Sequence, residues 1–159
     1  MCYLDHLIRI QSKFFKSFLC LPTCSPHYAV RFEMQLDSIE CKVLKLILNW
    51  IAKILKMGVE RFPKALLFEL FAIDSDYELN IDRYNWVTLI KKTFFQPVGE
   101  MGFFESLQRF QQLKEKKTRL EIINKFTNYR RQVDREKYLE STSLINYPLC
   151  VFEKMVIHT

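Results

Sequence analysis

The 159-residue sequence predicts an all-α fold: a single-domain array of about six amphipathic helices that ends in a long basic helix. Three observations predict it. Apolar residues recur at three- and four-residue steps along most of the chain, the spacing of one helix face. Glycine (3) and proline (5) are too scarce for the frequent turns an all-β fold needs. Neither residue occurs between Phe103 and Glu140. Hydrophobic residues make up 49% and charged residues 26%, a globular composition in which fourteen phenylalanines and seven tyrosines supply the core.

The first helix is read from Leu4, Leu7, Ile8, Phe14, Phe15, Phe18 and Leu19, with Arg9, Lys13 and Lys16 between them. Pro22 cannot continue it. Ser25 and Pro26 then read as N-cap and first helical residue of a short second helix, which runs to Met34 and buries Ala29, Val30 and Met34. A third helix spans Ile39 to Met57, with Leu44, Ile47, Leu48, Ile51, Ile54 and Leu55 on one stripe. Lys42, Lys45, Asn49, Lys53 and Lys56 form the other stripe, and Gly58 is suited to a left-handed cap. Pro63 fits the first position of a fourth helix, KALLFELFA, apolar nearly all round and therefore expected to be buried. The acidic segment 74–82 reads as a solvated loop leading to a cap at Asp82. A fifth helix follows, turning Trp86, Val87, Ile90 and Phe94 inward until QPVGEMG breaks it. From Phe103 to Glu140 the period of Leu107, Phe110, Leu113, Leu120, Ile123, Phe126, Tyr129 and Val133 predicts one very long helix, or two collinear ones joined near Lys117. The helical domain spans 4–143, and 144–159 is a tail.

The net charge of +6 is concentrated. Residues 109–138 hold ten Lys/Arg against four Asp/Glu, while the rest of the chain balances at fourteen of each. Lys114, Lys116, Lys117, Arg119, Lys125, Arg130, Arg131 and Arg135, with Phe126 and Tyr129 among them, are the candidate nucleic-acid-binding residues. The competing account is a solvated helix face over an ordinary core stripe. RNA or DNA is the partner this segment points to, and reversing Arg130 and Arg131 is expected to flatten the salt dependence of binding.

Other chemistry is thinly represented. Cys20, Cys24, His27 and Cys41 are donors of the kind zinc takes, but the Cys20–Cys24 knuckle has no second knuckle to answer it. FLCLPTCSPHYAV therefore reads as a corner between helices with incidental cysteines, and no metal is expected. His6, His27 and His158 are scattered, and no glycine-rich phosphate loop exists, so no catalytic residue, no cofactor and no enzyme activity are expected. Asp5 and His6 stand where a signal peptide would begin its apolar run, and five cysteines is an odd number. Both favour free thiols in an intracellular compartment, cytoplasmic or nuclear. The apolar run 43–55 is interrupted by Lys45 and Lys53 and too short to span a bilayer. The third helix is basic and amphipathic, but it has other helices to pack on, so no membrane partner is expected.

The run LIRIQSKFFKSFLCLPTCSPHYAVRFEMQL resembles the segment just after the polymerase domain in non-LTR retrotransposon reverse transcriptases, especially those common in arthropod genomes. The resemblance rests on a helix with Gln11, Phe14 and Phe15, a corner with Leu19, Leu21 and Pro22, and a second helix with Ser25, Pro26, Ala29 and Glu33. LKLILNWIAKIL, RYNWVTLIK and NYRRQVDREKYLESTSLINY are similar in kind to later helices of that region, closing at Ser141, Ser143, Leu144 and Tyr147. It covers about residues 4–147. It implies helices that help hold template RNA or target DNA beside a polymerase. The family's palm-domain aspartates lie upstream of this region, and its following cysteine–histidine knuckle has no counterpart here. The expectation is a non-catalytic fragment of such an element that retains at most electrostatic RNA or DNA binding. The alternative is a free-standing helical interaction protein, an adaptor or a four-helix cytokine, with a protein partner of unknown identity.

Overall fold

The structure, a computed structural model, describes residues 3–75 and 85–144. These residues are all-α, with seven α-helices and no strand among them. In chain order the helices are α1 (Tyr3–Phe18), α2 (His27–Glu33), α3 (Ile39–Leu55), α4 (Phe62–Ser75), α5 (Trp86–Ile90), α6 (Leu107–Gln111) and α7 (Lys116–Leu144). They divide into two compact units: residues 1–37 with 131–159, and residues 38–130. The expected cap Asp82 and the tail after residue 144 lie outside the described residues.

In the first unit α1 packs on α2. The corner between them is built as a Schellman motif: the amide of Leu21 donates to Lys16 O (2.8 Å) and that of Cys20 to Ser17 O (3.3 Å). Cys20 takes the left-handed position of that motif (φ 53°). The same device closes α2, with Gln35 left-handed (φ 51°) and Leu36 N donating to Arg31 O at 2.9 Å. Pro26 has extended ψ (145°) and is the N-cap of α2, so the cap falls one residue later than the Ser25 the sequence suggested.

The rotation of α1 departs from its apolar pattern. Ser12 and Lys16 are its buried residues, whereas Leu7, Ile10, Phe14 and Phe18 are exposed. Two polar contacts account for this: Lys16 Nζ donates to Thr23 O (2.9 Å), and Gln11 Nε2 donates to Asp37 O (3.1 Å). Val30 is buried as expected, but so is its neighbour Arg31, whose guanidinium grips Asp134 of α7 through Nε (2.8 Å) and Nη2 (2.6 Å).

The second unit holds the aromatic core. α3 buries Leu44, Leu48, Ile51, Ile54 and Leu55 on the predicted stripe and exposes Lys42, Lys45, Asn49, Lys53 and Lys56. Ser38 caps it, accepting from Glu40 N. Gly58 is not left-handed; the end of α3 is closed by short backbone bonds and by Lys64 Nζ, which donates to Met57 O at 2.7 Å. α4 is not buried all round. Leu67 and Phe71 face the core while Phe62 and Leu66 are exposed.

Asp74 is likewise no solvated loop residue. It ends α4 with a nearly sealed carboxylate that accepts from Thr88 Oγ1 (2.6 Å) and Lys91 Nζ (2.8 Å). Asn85 caps α5 in place of the expected Asp82, accepting from Val87 N (3.0 Å) and donating to Leu70 O (2.7 Å). Beyond Ile90 the helix widens into a π turn over Lys91–Phe95. Consecutive Phe94 and Phe95 of this wider turn are both buried in the core. Phe104 is the hub, with ring centroids 4.8 Å from Phe95, 5.6 Å from Phe110 and 6.4 Å from Phe71. The helix expected from Phe103 is interrupted, because Glu115 is extended (ψ 131°) between a 3-10 turn at Gln112–Lys114 and the start of α7. That break falls two residues before Lys117.

Candidate nucleic-acid interface

The eight predicted cationic residues are divided between the two units and differ in what they bond. Arg131 and Arg135 belong to the first unit, the other six to the second. Three are committed to carboxylates distant in sequence. Lys125 pairs with Glu100, which raises the lysine's pKa through their hydrogen bond and the adjacent charge. Arg130 pairs with Glu40 (2.7 Å) at the start of α3. Arg131 gives Nη2 (2.8 Å) and Nε (3.0 Å) to Asp37.

Arg119 acts as a cap. Its Nη1 donates to Leu113 O (2.9 Å) and Lys114 O (2.7 Å), satisfying carbonyls left open where the 3-10 turn ends. Phe126 is buried against Phe94 at 5.2 Å and is not available to a ligand, and Tyr129 is half-buried beside it. Lys114, Lys116, Lys117 and Arg135 have no carboxylate partner among the described residues.

Lys114, Lys116 and Lys117 surround the N-terminus of α7, whose first turn holds no acidic residue. The positive end of the helix dipole adds to these charges, so this end favours an anion. The turn that carries Lys114 packs directly on α3. There the second unit has a groove of about 430 Å³ lined by Leu46, Asn49, Trp50, Lys53, Lys56 and Arg119. Trp50 is 50% exposed, and its ring lies 5.2 Å from that of Trp86 at 57°. An open indole beside lysines and an arginine offers a face for stacking and charge for a phosphate chain.

Lys53, Lys56 and Trp50 were missing from the candidates chosen by sequence. The lysines were visible as the polar stripe of α3, but their charge was cancelled in the count by acidic residues elsewhere in the chain. Trp50 sits inside an apolar run, and periodicity alone does not reveal that it lies at the edge of the buried stripe.

Among the described residues no three His, Cys, Asp or Glu side chains gather as a metal site. Cys20 and Cys24 are exposed free thiols and Cys41 is buried in the other unit. No described helix is long and apolar enough to cross a membrane. No family model matches this chain, nor does any curated protein or solved structure.

Proposed function

We propose that this chain is a non-catalytic RNA- or DNA-binding element, acting as the helices that follow the polymerase domain act in the reverse transcriptases it resembles. The observation that carries this reading is the second unit's grouping of unpaired lysines at the start of α7 with the turn packed on α3 and its Trp50 groove. Lys114, Lys116 and Lys117 contact phosphates, Lys53 and Lys56 extend the cationic path, and Trp50 takes a base.

Filter binding of a single-stranded RNA over a salt series tests it. Affinity should fall with salt at about 0.7 logarithmic units per contacted phosphate. K116E/K117E should reduce that slope by about 1 to 1.5, as expected for two lost contacts. Reversal of Arg130 or Arg131 is now the wrong probe, because each holds an internal carboxylate. No binding at low salt, or a slope indifferent to K116E/K117E, removes the reading. A helical protein-interaction module is then the reading that stands. Its supporting observation is α1, which exposes Leu7, Ile10, Phe14 and Phe18.

A further inference from the structure

The first unit contains a second cationic feature that the nucleic-acid reading does not use. Between α2 and the second half of α7 lies a groove of about 670 Å³, within the size range of small-molecule sites. Arg31, Arg131, Arg135, Gln35, Phe32 and Leu139 are among its lining residues. We propose that this groove binds a phosphomonoester bearing an apolar or aromatic group.

The groove is held open by a fixed internal strut. Arg31 is 7% exposed, and its double bond to Asp134 ties α2 to α7. With that pair satisfied, its Nη1 is sealed from solvent and donates to nothing among the described residues. The uncommitted donors that remain accessible sit on both walls. Arg135 is exposed with its whole fork unpaired among the described residues, and Arg131 keeps Nη1 beyond the two nitrogens given to Asp37. Gln35 stands opposite on the α2 side, placed there by its left-handed backbone.

The lining carries three arginines against Asp134 and Glu136. Glu136 accepts from Gln132 (2.9 Å), and Asp134 is consumed by Arg31. With Arg31 held by Asp134 and Arg131 by Asp37, Arg135 is the lining arginine that has no carboxylate partner among the described residues. A carboxylate would occupy one guanidinium fork and leave the opposite wall unmet. A tetrahedral phosphate has enough oxygens to accept from both arginines and from the glutamine amide. The rest of the lining sets the second half of the specificity. Phe32, whose ring is tilted 30° to that of Tyr138 at 4.6 Å, and Leu139 are both exposed, and Leu36 is in the same lining. They offer an apolar shelf that inorganic phosphate would leave uncovered.

Titration calorimetry of the full chain with phenyl phosphate and with inorganic phosphate tests this. Phenyl phosphate should bind saturably at one site, about tenfold more tightly than inorganic phosphate. Arg135→Gln, an exposed change that leaves the Arg31–Asp134 pair intact, should weaken it by about tenfold or more without shifting the thermal midpoint. Leu139→Ser should bring phenyl phosphate down toward inorganic phosphate. Amide shifts in an NMR titration should centre on residues 31–36 and 131–139. The proposal is overturned if phenyl phosphate fails to saturate by about 10 mM, if R135Q binds it equally well, or if the shifts centre on residues 114–119. K116E/K117E, which changes two lysines of the second unit, should bind phenyl phosphate as tightly as the wild type does, so the two sites fail or stand separately.

Discussion

His27 opens α2 with its Nδ1 buried and without a hydrogen-bond partner among the described residues. Burial first, then the positive charges of Lys16, Arg31 and Arg9, lower its pKa below the ordinary value of 6.5. The folded chain therefore holds fewer protons at this site than the unfolded chain just below that value. Stability from neutral His27 is fully present above about pH 6.5 and is lost as pH falls through the folded value. Urea midpoints measured at about pH 7 and pH 5.5 should fall more for the wild type than for His27→Gln; equal losses would remove His27 as the cause. The sequence placed this histidine at a helix start and its neighbours in a corner, and both hold. It could not place Arg9, Lys16 and Arg31 around the ring, because that depends on how α1 is rotated. Two of the candidate binding residues show the same limit of local reading. Lys125 and Arg131 meet carboxylates 25 and 94 residues away, outside any window used to count local charge.

At the scale of elements, the strut between α2 and α7 decides how the first unit coheres. α2 has seven residues, too short to persist alone, and one apolar residue of it is buried. Asp134→Ala leaves Arg31 buried without its counter-charge and should cost about 3–5 kcal/mol, read as loss of amide protection in α2. R31M/D134L should cost much less than either half alone, since it removes both charges together. A double variant as damaging as D134A would mean that shape, not charge, sets the cost. Helix existence was legible throughout, and α3 in detail, because its apolar and lysine stripes are clean and its partners cover one whole stripe. The rotation of α1 was not legible, because Lys16 and Gln11 bond backbone carbonyls beyond the helix and those bonds compete with its apolar arc. The π turn at Lys91–Phe95 had no sequence signal beyond the adjacent phenylalanines.

Across the whole molecule, buried apolar residues are distributed very unequally. Nineteen are buried among the described residues, and Val30 is the one that belongs to the first unit. The first unit relies instead on polar contacts made by Gln11, Lys16, Arg31 and Asp134, which add little net stability each. Hydrogen exchange should show α1 and α2 opening well before Leu44–Leu55 and Phe104–Phe126. Equal protection in the two units would show that the first has a source of stability beyond its thin core. The aromatic inventory adds a practical consequence. The chain's two tryptophans, Trp50 and Trp86, are neighbours in the second unit. Intrinsic emission is therefore a local gauge: it reports the second unit and is blind to the first. A clean single sigmoid in a fluorescence melt would be compatible with a chain already half unravelled, and only a backbone signal such as far-ultraviolet dichroism would expose the earlier step.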